Sequence, residues 1–590
     1  MFVASWLWRI FTSVMNGVAR VIMFLILVAV VVLIVIAIRG DGIGQNTVLE
    51  LDLRNGMDDK ASAGLLALGA QKLSIMDVVF TLDAASRDSR VKGVLVRAGS
   101  GDLSLPKGEE LRDAMKRFQR AGKFVIAHSQ TFYSGGLGDY TAVSAADQIW
   151  MQPVSTFFAT GTSTTTLFFK GLFDKVQAVP QFVQRYEYKN AANIFTESDF
   201  TPAHREATLR VLQSWYDSAT AEDAADRHLD RAALVSVLDQ SPSMVEVAKQ
   251  KGLITNIGYE DEARDAARAK AGAGARFVDF QRYLRATRDR QMSGGAPAVA
   301  FIHAAGDIVE GKSNTPVTEA TTEIAGDTYA EAIQAAAEDR DVKAILLRID
   351  SPGGSAIASD QILHALKKAR ARGKPIVVSM GSVAASGGYF IAMAADRIVA
   401  EPGTLTGSIG VLWGKVALEK SAQMIGISAR ELGVGKNANF LSAVSPWDSG
   451  QLSVVNQQAD AVYADFTQKV AEGRKMPLDK VQQVARGRVW TGADAKDRGL
   501  VDELGGFWVA VDEIKRQIGV ASPNNIRFKT FPEQRGIFGS LQRLAGGSSA
   551  AMQALDELAT VIESPAVRTL LDAIHISGQA IQMKAVGLPG

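Results

Sequence analysis

Cysteine is absent from the 590-residue chain, and histidine is scarce. Without cysteine the protein has no disulfides, no thiol nucleophile and no thiolate-bound metal. The histidines are scattered and show no spacing of the HExxH kind, so no zinc site is indicated. They are His128, His204, His228, His303, His364 and His575.

A surplus of positive charge is also missing. The 64 Lys and Arg residues are balanced by 63 Asp and Glu residues, which leaves a formal net charge of +1. Nucleic-acid binding needs a broad basic field that attracts phosphates, so this class of function is excluded. We expect no metal, nucleotide or other cofactor. A chain of this length is long enough for two or more domains.

An unbroken apolar run covers residues 21–38, between Arg20 and Arg39. As a helix, about 18 residues rising 1.5 Å each span about 27 Å, close to the hydrocarbon thickness of a bilayer. A cleaved signal peptide has a shorter apolar region, of about 7 to 15 residues, followed by a small-residue cleavage site. We therefore expect a transmembrane helix over 21–38.

Basic residues near this run predict its orientation. Arg9 and Arg20 precede it, whereas Arg39 is followed by Asp41 and Glu50. Because positive charge is retained on the cytoplasmic side, the N-terminus over 1–20 is expected to be cytoplasmic. We then expect a single-pass inner-membrane protein whose large domains, beyond about residue 40, are periplasmic.

Beyond the apolar run, the chain contains two similar copies of one module. SRVKGVLVRAGSGD, from Ser89, resembles RDVKAILLRIDSPGG, from Arg340, and the stretch from Ala121 resembles the stretch from Arg372. An offset of about 250 residues separates both pairs, which is typical of duplication of a whole domain rather than of short repeats.

The duplication divides the chain into modules. We expect a first module over 46–292, a second module over 297–530 and a C-terminal tail over 531–590. The clustered turn residues Ser-Gly-Gly-Ala-Pro over 293–297 predict a linker just before a new apolar strand pattern.

Within each module, short apolar runs alternate with longer helical patterns, as in a parallel sheet covered by helices. In the second module, residues 344–350 and 375–381 are predicted strands. Between them, SDQILHALKKARARG has apolar residues at helical spacing and ends on Gly373, a residue typical of helix C-caps. Both modules are therefore expected to have an α/β fold.

The stretch MGSVAASGGYFIAMAAD over 380–396 holds the candidate nucleophile, Ser386. A predicted strand ends at Gly381, and a helix is predicted to begin near Gly387. Ser386 is thus placed at a helix N-terminus, where unpaired N–H groups favour developing negative charge. A serine in this position is also a common N-cap, which is the alternative explanation.

A second strand-to-turn junction, Asp-Ser-Pro-Gly-Gly-Ser over 350–355, is predicted to lie beside the first. Neighbouring parallel strands end at the same edge of a sheet, so the amides of Gly353 and Gly354 are candidates for an oxyanion hole. A further small-residue loop, TLTGSIGV over 404–411, follows the predicted helix.

These motifs together resemble those of the signal peptide peptidase A family in its long, duplicated bacterial form, the protease IV type of peptidase family S49. They are D-S-P-G-G, an M-A-A-S-G-G-Y motif in which Val383 replaces the methionine, and T-G-S-I-G-V. The likeness extends over residues 20–530. It implies tandem ClpP/crotonase-like domains and a Ser/Lys dyad.

The residues alone leave two candidates for the general base. No histidine lies near the motifs, so a Ser-His-Asp triad has no evident base, whereas a lysine can act as one if burial keeps it neutral. Lys189 lies in RYEYKNAANIF of the first module, and Lys436 lies in LGVGKNANF at the equivalent position of the second. The first context matches the catalytic lysine of duplicated family members, and the second matches that of short members.

Aligning the modules sets Leu137 against Ser386, and Arg-Ala-Gly-Ser-Gly over 97–101 lacks the Pro-Gly-Gly of the second module. The first module therefore has no nucleophile. In the family each site forms across a module boundary, so the resemblance implies that Lys189 serves Ser386 and that Lys436 faces Leu137. It also implies that Ser408 hydrogen-bonds the catalytic lysine.

The resemblance implies a membrane-anchored serine endopeptidase whose catalytic domains lie in the periplasm and assemble as a bowl-shaped homotetramer. Its expected substrates are cleaved signal peptides left in the membrane after secretion. Two other functions remain open. The crotonase-like fold also supports acyl-CoA chemistry, which the extracytoplasmic location disfavours, and a non-catalytic scaffold is disfavoured by the intact Ser386, Lys189 and glycine loop.

Overall fold

The computed structural model of this chain describes residues 42–60, 72–132, 137–292, 297–313, 323–521 and 526–532. The predicted transmembrane helix and the N-terminal segment before it lie outside the described residues. So do residues 293–296 of the predicted linker and nearly all of the predicted C-terminal tail. Within the described ranges, no helix combines the length and the apolarity needed to cross a membrane.

A six-stranded parallel sheet forms the centre of the first module, in the order β8-β4-β3-β2-β1-β9. β3 is buried along its whole length, as expected for a parallel strand covered on both faces. The strands of this module are β1 (Thr47–Asp52), β2 (Val91–Ala98), β3 (Phe124–Ser129), β4 (Gln148–Met151), β5 (Thr156–Phe157), β6 (Val179–Arg185), β7 (Ser243–Met244), β8 (Asn256–Ile257) and β9 (Arg276–Asp279).

Helices connect and cover these strands. The helices of the first module are α1 (Ile75–Arg87), α2 (Leu105–Arg120), α3 (Gly138–Ser144), α4 (Lys170–Lys175), α5 (Asn193–Thr196), α6 (Pro202–Arg227), α7 (Arg231–Leu238), α8 (Val245–Gln250), α9 (Glu260–Ala271) and α10 (Phe280–Met292).

The second module has an eight-stranded sheet with the path β18-β16-β14-β13-β10-β20, and β15 joins β14 to β19. All of its pairings are parallel except the one between β16 and β18. The strands are β10 (Ala298–Ala305), β11 (Asp307–Val309), β12 (Glu323–Ala325), β13 (Val342–Ser351), β14 (Ile376–Ala385), β15 (Arg397–Ala400), β16 (Leu405–Gly407), β17 (Val411–Ala417), β18 (Val489–Thr491), β19 (Glu503–Leu504) and β20 (Arg527–Phe531).

Eight helices accompany this sheet in the described part of the chain. They are α11 (Gly326–Glu338), α12 (Ala356–Ala371), α13 (Gly387–Ala392), α14 (Glu419–Met424), α15 (Ser449–Arg474), α16 (Leu478–Val484), α17 (Gly492–Asp497) and α18 (Phe507–Gln517).

The two predicted strands of the second module and the helix between them are confirmed as β13, β14 and α12. α12 begins where the Ser355 hydroxyl accepts the N–H of Ala358, and Gly373 follows its end with a φ of 78°. β14 continues four residues beyond the predicted end at Gly381, because Val383 to Ala385 pair with β16.

Besides a core of its own, the second module shares a hydrophobic core with the first. Alternate residues of β10 and β13, such as Phe301 and Leu346, pack into the same cluster as the apolar face of α1. The Phe80 ring lies 5.5 Å from that of Phe301, 5.0 Å from Phe507 and 5.5 Å from Phe528. One face of the second sheet is therefore covered by the first module.

A two-stranded antiparallel ribbon also crosses from one module to the other. β6 of the first module pairs with β17 of the second, and Arg185 at its end lies opposite Val411. The chain that follows β6 is thereby brought to the end of β16. This pairing places Lys189 beside Ser386.

Candidate active site

Ser386 lies in a sharp turn between β14, which ends at Ala385, and α13, which begins at Gly387. Its φ of 54° and ψ of −115° are a conformation that residues with a side chain rarely adopt. The Ser386 N–H donates to the Gly407 carbonyl at 2.9 Å, which holds the turn against β16. Its side chain makes no capping hydrogen bond to α13, so the N-cap explanation does not apply.

Lys189 reaches the Ser386 hydroxyl from the first module. Its Nζ lies 3.0 Å from Ser386 Oγ and 2.9 Å from both the carbonyl oxygen and Oγ of Ser408. The residue is 7% exposed and forms no ion pair with any described residue. Burial without a counter-charge disfavours the ammonium form and lowers the pKa of Lys189 from 10.5 to about 8.

Ser408 connects the lysine to the second sheet. It follows β16 directly, has a left-handed φ of 50° and is 9% exposed. Its N–H donates to the Arg488 carbonyl at 2.7 Å. Because the backbone and the hydroxyl of Ser408 both accept hydrogen bonds from Lys189, they orient Nζ toward Ser386.

Gly353 and Gly354 follow the end of β13 and lie against the serine turn. An ideal Cβ on Gly353 would be 2.8 Å from both Ser386 Cβ and the Gly387 nitrogen. The Gly353 N–H donates to Ser351 Oγ at 3.1 Å. The Gly354 nitrogen is 3.2 Å from an ideal Cβ on Gly387. Among the described residues it has no hydrogen-bond partner.

In the first module, the position equivalent to the serine turn has a buried leucine, and a nearby carboxylate binds the neighbouring loop. Leu137, aligned with Ser386, is 2% exposed. Asp139, aligned with Gly388, accepts the N–H of Gly101 at 3.2 Å. A carboxylate therefore binds an amide of the loop that corresponds to Gly353 and Gly354.

The structure does not bring Lys436 to Ser386. Lys436 lies in the exposed segment between α14 and α15 and has no hydrogen bond or ion pair with a described residue. In the described part of the chain, no group of His, Asp and Glu side chains is arranged to hold a metal ion.

The segment before β18, which no sequence motif indicated, completes the site. An ideal Cβ on Gly487 would lie 2.5 Å from the backbone nitrogen and Cβ of Lys189, so this glycine packs directly on the lysine. Arg488 supplies the carbonyl that holds Ser408. No local motif marks this segment, because its neighbours are distant in sequence.

Two family models match the chain. The model of peptidase family S49 matches residues 117–274 and 368–521, which is one stretch in each module. The model of ClpP-like SDH-type serine proteinases matches residues 280–419, which include the serine turn and the glycine loop.

Curated relatives cover most of the chain. Protease 4 of Haemophilus influenzae is 30% identical over 76% of this chain and 74% of its own length. Protease 4 of Salmonella typhi is 32% identical over 86% of this chain and 84% of its own. The chloroplastic serine protease SPPA of Arabidopsis thaliana is 31% identical over 81% of this chain and 70% of its own.

Proposed function

Because the chain belongs to peptidase family S49, it is a serine protease of the protease 4 type with duplicated ClpP-like domains, and we propose that Ser386 is its nucleophile and Lys189 its general base. The observation that carries this proposal is the 3.0 Å contact between Lys189 Nζ and Ser386 Oγ. In this proposal the first module, over 46–292, supplies the lysine, and the second, over 297–530, supplies the serine.

The proposed reaction begins with a neutral lysine. With a pKa of about 8, about a tenth of Lys189 is unprotonated at pH 7. The free lone pair accepts the Ser386 proton while Ser408 keeps Nζ in place. Ser386 Oγ then attacks the scissile carbonyl carbon, and a tetrahedral intermediate forms.

The negative charge that develops on the carbonyl oxygen needs N–H donors. We propose the amides of Gly353 and Gly354 for this role, with the Gly353 amide leaving Ser351 Oγ when substrate binds. Gly387, as the first residue of α13, has an N–H without a partner inside the helix. Its nitrogen would lie 2.8 Å from an ideal Cβ on Gly353, so it is close to the same loop.

Lys189 then returns the proton to the leaving amine, so the peptide bond breaks and an ester to Ser386 remains. A water molecule that donates its proton to Lys189 then attacks this ester. Lys189 passes that proton to Ser386 Oγ as the ester bond breaks and the acid product leaves, which restores the free serine and the neutral lysine. No cofactor takes part in these steps.

Variants of the two lysines test the dyad. Lys189→Ala is expected to lower hydrolysis of a fluorogenic peptide by about 10³-fold or more, as does loss of one member of a catalytic unit. Lys189→Arg should be equally inactive, because a guanidinium stays protonated. Lys436→Ala is the matched control and should retain wild-type activity. Ser386→Ala should lose both hydrolysis and labelling by a serine-directed acylating probe.

The wild-type pH profile provides a further check. kcat/KM should rise with pH through about 8, because the base form of Lys189 gains population in that range. An inactive Lys436→Ala variant beside an active Lys189→Ala variant would show that the site is assembled differently. The proposed base would then be wrong.

We further propose that the substrates are signal peptides left in the membrane and that residues 21–38 anchor the chain there. An anchored protease meets such peptides where they are released. Protease added to intact spheroplasts should then digest the chain beyond about residue 40, because the positive-inside rule puts the catalytic modules outside the cytoplasm. Protection of the modules would reverse this orientation.

A homotetramer is the proposed assembly. Large apolar side chains between α14 and α15 are exposed, which is typical of a surface that another chain covers. They are Ile425, Ile427, Leu432, Val434 and Leu441. A mass of four chains for the detergent-solubilised protein is expected in analytical ultracentrifugation.

A further inference from the structure

Arg488 touches both modules at the point where they meet beside Ser386. It belongs to the second module, directly before β18. Its guanidinium donates two hydrogen bonds to Glu206 on α6 of the first module, at 2.7 and 2.8 Å. The side chain of Arg488 is only 13% exposed, whereas that of Glu206 is 52% exposed.

The same guanidinium also lies over two aromatic rings. Its Cζ is 4.9 Å from the ring centre of Tyr188 and 4.2 Å from that of Trp490. Tyr188 directly precedes Lys189, so the arginine holds the residue next to the lysine. A planar guanidinium can stack on rings and bind a carboxylate with two parallel bonds, which an ammonium cannot do.

The backbone of Arg488 acts on the other side of the lysine. Its carbonyl accepts the Ser408 N–H at 2.7 Å, and Ser408 in turn accepts two hydrogen bonds from Lys189 Nζ. One residue of the second module thus contacts the neighbours of Lys189 at both ends of its side chain. The preceding Gly487 closes the gap, since it packs on the lysine backbone.

We propose that Arg488 is a positioning residue, which through Tyr188, Glu206 and Ser408 holds Lys189 at hydrogen-bonding distance from Ser386. The inference rests on the proposed dyad and extends it. Arg488 does not touch the reacting atoms. It fixes the contact between the two modules, and the distance between Lys189 and Ser386 depends on that contact.

The neighbouring Arg486 provides a matched control on the same segment. It pairs with Glu187 at 2.7 Å, but its side chain is 50% exposed and that of Glu187 is 41% exposed. An exposed ion pair of this kind contributes little. Arg486→Met is therefore expected to keep the wild-type activity and pH profile.

The experiment compares kcat, KM and the pH profile of four variants of the full chain with wild type, each normalised to its active sites with the acylating probe. Arg488→Met keeps the stem but loses the charge and the bonds to Glu206, and should lower kcat by about 10- to 100-fold with a smaller change in KM. The kcat of Arg488→Lys should lie between those of Arg488→Met and wild type. Glu206→Gln, on an exposed helix face, should shift activity in the same direction but less. Arg486→Met is the control.

The low-pH side of the kcat/KM profile distinguishes a positioning role of Arg488 from an effect on folding stability alone. A lysine that is less firmly packed regains solvent, so the apparent pKa of kcat/KM should move upward in Arg488→Met. A lower melting temperature with wild-type kcat and pH profile per active site would overturn the inference and leave the dyad intact. An active Lys189→Ala variant, measured in parallel, would instead overturn the dyad and this inference with it.

Discussion

Two positions beside Ser386 are occupied by glycine, which has no Cβ. Gly353 and Gly354 have φ values of 114° and 145°, which strain any other residue. An ideal Cβ on Gly354 would lie 2.1 Å from the Ile308 carbonyl oxygen. The backbone can therefore approach the serine turn only because no Cβ intervenes at these positions.

Gly353→Ala is expected to reduce peptide hydrolysis by about 10²- to 10³-fold, the effect of losing one oxyanion donor. The added methyl group would meet Ser386 Cβ and the Gly387 nitrogen at 2.8 Å and push the loop away from the nucleophile. Gly373→Ala is the matched control, since Gly373 has a φ of 78° but open space around it. It should lose about 1 kcal/mol of stability and keep its activity.

Gly353→Ala and Gly373→Ala are compared by steady-state kinetics and thermal unfolding. If both variants lose activity in proportion to stability, the glycine loop has no specific role in catalysis.

At the scale of single elements, α6 docks the first module onto the second. This helix of 26 residues begins at Pro202 and is capped by the preceding Thr201, whose hydroxyl accepts the His204 N–H. Farther along, Ser214 Oγ lies 2.7 Å from Thr491 Oγ1, and Trp215 Nε1 donates to the Gly403 carbonyl at 2.7 Å. α6 therefore contacts the end of β18 and the loop that precedes β16.

Two Trp→Phe substitutions measure what one of these bonds contributes. Trp215→Phe removes the donor to Gly403 and leaves a carbonyl unpaired, so we expect a loss of about 1 kcal/mol beyond the loss of ring area. Trp508 on α18 has a buried Nε1 without a partner among the described residues. Trp508→Phe removes an unsatisfied donor and should cost less.

Urea unfolding of the two Trp→Phe variants gives the comparison. If Trp508→Phe loses more unfolding free energy than Trp215→Phe, ring packing, rather than the hydrogen bond of Trp215, determines the stability of this junction.

At the scale of the whole molecule, the shared core of the two modules encloses charged groups. Arg348, of which the side chain is 2% exposed, pairs with Asp59 at 2.6 Å and with Glu110 at 2.8 Å. Glu401 is also buried, and its Oε1 has no hydrogen-bond partner in the described residues. Burial raises the pKa of Glu401, and the nearby carboxylates Asp113, Glu110, Glu109 and Glu222 raise it further.

This raised pKa predicts how stability depends on pH. Above about pH 4.5 the unfolded chain releases the Glu401 proton while the folded chain keeps it. Stability is thus fully present at low pH and falls as pH rises toward the folded pKa, by about 1.4 kcal/mol per pH unit for one proton. Glu401→Gln should remove this pH dependence. Its free energy of unfolding should therefore exceed that of wild type by more at pH 8 than at pH 5.

Unfolding free energies of both proteins from pH 5 to pH 8 test this expectation. The exposed Glu338→Gln variant is the control and should follow the wild-type slope. Parallel slopes for Glu401→Gln and wild type would show that the Glu401 carboxyl does not retain its proton in the folded chain.

The sequence by itself was sufficient for the local features and the family. The apolar runs of β13 and β14, the helical spacing of α12 and the serine in the turn before Gly387 all follow from patterns within about ten residues, where propensity and periodicity act. Membership of the serine protease family follows from the motifs at Ser386 and Gly353. The repeat, read by self-comparison, also showed that Leu137 occupies the nucleophile position of the first module.

Only the tertiary structure decided which side chains meet. From the residues alone, Lys189 and Lys436 were both candidates, and the alignment of the two modules together with the family resemblance favoured Lys189. The bond between Lys189 and Ser386 joins positions 197 residues apart, and the pairs of Arg488 and Glu206 are 282 apart. Such contacts depend on how the β6–β17 ribbon and α6 dock the modules, which no local pattern encodes. The lowered pKa of Lys189 has the same origin, because its burial exists only after both modules have packed around it.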